Sequence, residues 1–121
     1  MLIVPKPREV KELEINGEKP FSRWLKKLKD HQGKAAILAR ITRISTLGNF
    51  GNYKYLDRGV FELKIPVGPG YRLYFGIEND TLVLIILGGD KSSQSSDIKK
   101  AQEIWKMYLI ERGSYGSKKK D

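Results

Sequence analysis

Lys64 and Arg72 flank the segment Pro66 to Gly70 in the stretch KIPVGPGYRLYF, and their spacing sets them face to face if that stretch folds back on itself. A turn centred on Gly68 pairs Ile65 with Tyr71, Lys64 with Arg72, Leu63 with Leu73, Glu62 with Tyr74 and Phe61 with Phe75. Every apolar side chain of the pair then shares one face, whereas a slip of one residue would mix the two sets, so this register is the preferred one. Like charges set directly opposite each other on paired strands repel. The arrangement therefore points to an anion between them. On the same face lies Tyr74, and the loop leaving the next apolar run, GGDKSSQSSD, brings Lys91 with Ser92, Ser93 and Gln94.

Cations interspersed with hydroxyl and amide groups suit a phosphodiester. Cleavage of RNA by its own 2′-hydroxyl needs a base to take that proton, positive charge for the developing phosphorane and an acid for the departing 5′-oxygen. Lysine, with a free pKa of about 10.4, serves as a base only where neighbouring cations lower that value. In this assignment Lys64 is base or phosphate ligand, Arg72 stabilises the transition state and Lys91 supplies charge or acid. Tyr74 stacks on a base or positions the phosphate, and Ser92, Ser93 and Gln94 bind the RNA. The alternative is a solvated pair of cations, one of them partly neutralised by Glu62.

Other chemistries find little support. His31 is the single histidine and falls between predicted helices, where a surface role suits it, and there is no cysteine, so the usual transition-metal ligand sets are missing and no metal or other cofactor is expected. Glu9, Glu12, Glu14 and Glu18 are dispersed among lysines, as on a solvated edge. The run GGDKS lacks the first glycine and the spacing of a nucleotide-binding P-loop. The absence of cysteine fits a reducing compartment, and neither a signal peptide nor a run of membrane-spanning length occurs, so a cytoplasmic protein without membrane association is expected. A formal charge of +9 and a pI near 9.8 point to a polyanion or an acidic partner.

With 121 residues the chain is long enough for one core. A single domain is expected over 1–112, followed by a basic flexible tail, 113–121, in which three lysines face one aspartate. Residues 8 to 15 alternate well enough for an opening strand. Asn16-Gly17 marks a turn, and Pro20 suits the first position of a helix. Phe21, Trp24, Leu25 and Leu28 follow helical spacing, leaving Lys26 and Lys27 on the outer side. A second helix is predicted over 34–46, with Ile37, Leu38, Ile41 and Ile44 inward and Arg40 and Arg43 largely off that face. The stretch LGNFGNYK reads as a loop. DTLVLIIL is apolar at both parities, the mark of a central strand. Ser95 or Ser96 then caps a last helix packed through Ile98, Ala101, Ile104, Trp105, Tyr108 and Leu109. The fold class is α+β: an N-terminal strand, a helical hairpin, a three- or four-stranded antiparallel sheet and a C-terminal helix.

GVFELKIPVGPGYRLYF followed by TLVLIILGGDKSSQSSDIKKA resembles the HigB-like branch of the RelE/ParE toxin superfamily, the addiction module killer proteins, and the likeness extends over roughly residues 8 to 110. It implies a RelE-like fold and a type II toxin that cleaves mRNA on the ribosome and so inhibits translation. Its expected partners are the ribosome, mRNA and a cognate helix-turn-helix antitoxin. RNA-cleaving members carry cations where Lys64, Arg72 and Lys91 stand, and the basic helix residues Lys26, Lys27, Arg40 and Arg43 would meet RNA phosphate. Glu62 departs from the pattern where the RNA cutters have a further lysine, and Asp97 where they have a tyrosine. Gyrase poisons share the superfamily fold without cutting RNA, so the resemblance leaves open a non-enzymatic toxin or a module whose activity has decayed.

Overall fold

In a computed structural model of the protein, residues 2–120 are described, those from 114 on by their backbone element alone. The basic tail expected over 113–121 falls almost wholly on that last stretch, outside the described side chains. The order of elements is β1 (Glu9–Glu12), α1 (Pro20–Lys27), α2 (His31–Leu47), β2 (Tyr53–Tyr55), β3 (Phe61–Ile65), β4 (Tyr71–Glu78), β5 (Leu82–Asp90), a single 3-10 turn (Lys91–Ser93) and α3 (Gln94–Lys120). No helix among the described residues is long and apolar enough to cross a membrane.

The sheet has five strands in the order β1-β5-β4-β3-β2. β5 to β2 are four antiparallel strands, within the three or four expected, and β1 joins them in parallel, which makes the sheet as a whole mixed. β1 runs parallel to β5, Val10 beside Val83 and Glu12 beside Ile85. A parallel partner requires a long crossover, and here everything from α1 to β4 provides it. β2 is the second departure: the end of the supposed loop LGNFGNYK pairs with β3, Tyr53 beside Leu63 and Tyr55 beside Phe61. Three residues are too few for a period of two to stand out in a sequence.

β5 lies between β1 and β4, which is why it is apolar at both parities. Phe75 pairs with Ile85 but Tyr74 with Leu87, so Ile86 is an extra residue in a bulge. The bulge turns both Ile86 and Leu87 toward α3. Helices cover the two faces of the sheet. Phe21 of α1 and Ile37 and Ile44 of α2 pack on Phe61, Leu63, Ile65, Leu73 and Phe75. Ala101 and Trp105 of α3 pack on the opposite face against Tyr74, Leu84, Ile86 and Leu87. Leu38 and Leu109, both expected to face inward, are half exposed, because each lies at the margin of its helix's packed stripe.

Each face receives a tryptophan against a strand glycine. A Cβ on Gly76 would collide with the Trp105 ring, and one on Gly88 with the Trp24 ring. Both helices thus approach the sheet more closely than any larger residue would permit.

α1 begins at Pro20 as expected, but α2 begins three residues earlier than predicted because Asp30 caps it, Gly33 N donating to Oδ1 at 3.0 Å. The other carboxylate oxygen accepts from the Tyr71 hydroxyl at 2.7 Å, which ties the helix connection to β4 beside the β3–β4 turn. The Gly33 amide, and after it Tyr71, hold the Asp30 carboxyl below the usual carboxylate range. Burial, and then Asp30, push the Tyr71 hydroxyl up to about 12. A carboxyl depressed in the folded state adds stability above its unfolded pKa and loses that contribution as pH falls through the native value. The melting temperature should therefore drop as pH falls below about 4, and drop less steeply in Asp30→Asn. Equal slopes for the two proteins in acid thermal scans would show that Asp30 is not among the groups responsible.

Candidate functional site

β3 and β4 pair in the register the sequence predicts, Lys64 opposite Arg72 and Glu62 opposite Tyr74. Arg72 is in turn beside Gly89 of β5, so Lys64, Arg72 and the exit of β5 form one row across three strands on the α3 face. Both β3 and β4 are long enough to hold this row because the turn Pro66 to Gly70 joins them without interrupting the pairing. Gly70 is the pivot. Its carbonyl accepts from Arg72 Nη1 at 2.7 Å, and a Cβ at this position would lie 3.2 Å from Arg72 Nη1 and 3.8 Å from Lys91 Cβ. The three expected cations are thus brought together. Lys91 is exposed and Lys64 half-buried.

Arg72 differs from the other two. Its side chain is 8% exposed and its Nε lies 3.9 Å from Oε2 of Glu62, a carboxylate with no exposed surface. Gln94 Nε2 donates to that same oxygen at 2.9 Å, and Lys54 Nζ approaches the other at 3.9 Å. Glu62 Oε1, Arg72 Nε and the Tyr74 hydroxyl are buried without a hydrogen-bond partner in the protein. Burial, and then the Glu62 charge, push the Tyr74 hydroxyl upward, so it remains a neutral phenol. The neutralising role that the sequence left open for Glu62 is therefore realised on Arg72.

This packing corrects one expected contact with RNA, the stacking on Tyr74, and gives the other residues partners within the protein. Tyr74 is fully buried under α3 and has no free ring face on which a base could stack. Gln94 turns its amide inward to Glu62. Ser92 donates its hydroxyl to Asp90 Oδ1 at 2.6 Å and Ser93 its own to Asp97 Oδ2 at 2.5 Å. Asp90, rather than Ser95 or Ser96, caps the start of the last helical segment, accepting from the amides of Ser92 and Ser93. Asp97 lies over Gly89, where a side chain on β5 would collide with it.

The basic helix residues divide. Arg40 is pinned to backbone, its Nη1 donating to Lys64 O at 3.1 Å, so it braces β3 from the other side. Lys26, Lys27 and Arg43 are exposed, on the helices of the opposite layer. Lys27 also lines a cleft of ≈ 440 Å³ between α1 and α3, with Trp24, Leu87, Gly88, Asp97 and Lys100 around it. Lys54 escaped the sequence reading because β2 did. Once β2 is recognised, its register opposite Glu62 follows. Among the described residues no three histidine, aspartate or glutamate side chains gather as a metal ion would require. Chemically, the site offers two accessible ammonium groups over a buried guanidinium whose charge is partly balanced by a carboxylate.

No protein-family model matches the sequence. An uncharacterized protein of Haemophilus influenzae (strain ATCC 51907 / DSM 11121 / KW20 / Rd) is 47% identical over 90 residues, a span that covers 74% of this chain and 90% of that protein. This chain belongs to the same family as that Haemophilus influenzae protein.

Proposed function

We propose that the protein is the toxin of a type II toxin–antitoxin module, a RelE-like ribosome-dependent endoribonuclease of the HigB-like branch that cuts translated mRNA without a metal. The observation that carries this reading is the placing of Arg72 between two lysines, Lys64 opposite it on β3 and Lys91 beside it at Gly70. In the reaction, the RNA 2′-hydroxyl attacks the adjacent phosphorus, its proton passes to Lys64 acting as base, and the P–O5′ bond breaks to leave a 2′,3′-cyclic phosphate. Lys91 donates the proton that the 5′-oxygen takes up, and the Arg72 charge lies beneath the phosphorane. The exposed Lys26, Lys27 and Arg43 supply non-specific attraction to ribosomal RNA. The partner that restrains the toxin is a helix-turn-helix antitoxin, and the site of action is the cytoplasm.

Arg72's burial against Glu62 favours a second reading, a non-enzymatic toxin or binding module that engages a replication protein such as gyrase by its surface. Inducible expression with and without the neighbouring open reading frame, with mapping of RNA 5′ ends, separates the two. The ribonuclease predicts growth arrest with cuts confined to translated transcripts, relieved by the neighbouring gene. Arrest with intact transcripts and DNA damage would replace it with the second reading.

A further inference from the structure

Glu62, Arg72 and Arg8 are the buried charged residues among those described, and Glu62 is the most completely enclosed. Removing a carboxylate from water costs several kcal/mol, and a well-packed apolar residue in place of a buried ion pair is often no less stable. Stability alone therefore gives little reason for a glutamate here. Its neighbours supply one. Oε2 receives the Gln94 amide from the first residue of α3 and lies 3.9 Å from Arg72 Nε, while Arg72 Nη1 is held by the Gly70 carbonyl. The guanidinium is thus held from both ends, by an anion on β3 and by the Gly70 carbonyl, at a glycine that Lys91 also adjoins.

We propose that Glu62 is a positioning residue: clamped by Gln94, its buried carboxylate fixes the orientation of the Arg72 guanidinium beside Lys64 and Lys91. This rests on the ribonuclease reading for its role in the reaction, but its effect on Arg72 can be read independently. α3 is then part of the site through its first side chain, without touching RNA. In a low-dielectric setting the attraction between Glu62 and Arg72 is much stronger than between exposed charges, so it holds at 3.9 Å without a direct hydrogen bond.

The experiment uses the full-length protein and the variants Glu62→Gln, Glu62→Asp and Gln94→Ala. The Arg72 Nε–Hε resonance is followed by nitrogen-edited NMR, and cleavage of a translated mRNA is measured in a ribosome-containing extract. Glu62→Gln keeps the shape and loses the charge. It should shift the Arg72 resonance, speed exchange of its proton and lower kcat by about 10- to 100-fold with little change in KM. Glu62→Asp should recover part of that loss, and Gln94→Ala should shift the resonance in the same direction by less. An unmoved Arg72 resonance in Glu62→Gln, or undiminished kcat, overturns the proposal. If the wild type cuts no RNA, the ribonuclease reading falls and the resonance alone decides whether Glu62 positions Arg72. If Glu62→Gln does not fold, Gln94→Ala decides between the same outcomes.

Discussion

Arg72→Ala should lower cleavage of translated mRNA by about 10²- to 10³-fold, the usual cost of deleting one preorganised group that stabilises transition-state charge. It should also destabilise the fold. Glu62 would remain fully buried with one of its two cations at 3.9 Å removed and Lys54 left as the other, so the loss should be part of the roughly 3–5 kcal/mol that leaving a buried charge unpaired costs. Lys64→Ala makes the informative comparison. Lys64 is half-buried and its side chain has no ion-pair partner among the described residues, so its loss should impair cleavage while leaving urea unfolding nearly unchanged. Measuring both quantities on both variants separates chemistry from packing. If Arg72→Ala lost stability but cut at the wild-type rate, Arg72 would be a partner for Glu62 and nothing more. The part assigned to Arg72 in the reaction would then fall, and cleavage would rest on Lys64 and Lys91.

Trp105→Ala is the substitution with the largest expected effect on folding. The ring is 3% exposed, lies against Gly76 and stacks on Tyr108 at a centroid distance of 5.4 Å. Truncating a buried tryptophan costs about 3–5 kcal/mol, and a domain of this size has roughly 5–15 kcal/mol in total. The variant should therefore be marginal at 37 °C. Trp24→Ala should cost less, because Trp24 is only half-buried even though it fills the matching position over Gly88 on the other face. Because α3 also carries Gln94, loosening it should release Glu62 and Arg72 as well, so residual activity in folded Trp105→Ala would fall with its stability. Urea titrations of the two variants side by side test the asymmetry, and equal midpoints would refute it.

The parts of the site that could be read without coordinates are those built from neighbours in the chain. In β3 and β4 the alternation of Phe61, Leu63 and Ile65 with Glu62 and Lys64, joined by a turn of two prolines and two glycines, admits one register, and the strands take it. Pro20 marks the start of α1 for an equally local reason. β2 was illegible, because Tyr53 to Tyr55 carries too short a pattern and becomes a strand only by pairing with β3. The direction of β1 was also hidden, since nothing in residues 9 to 12 encodes whether a strand seventy residues on runs with it or against it.

Charge, periodicity and turn chemistry sufficed to put a lysine opposite an arginine on one side of a hairpin and to place a third cation at the end of the next strand. They act over a few residues, and the pleat of a strand does the rest. Whether that side would face solvent or a helix was decided only when α3 folded over it, burying Glu62 and Tyr74 and bringing Gln94 to a carboxylate 32 residues earlier in the chain. Desolvation belongs to no single segment: it arises when distant elements exclude water from the same atoms. For that reason the cations were visible in the sequence, and the anion's hold on one of them was visible only in the fold.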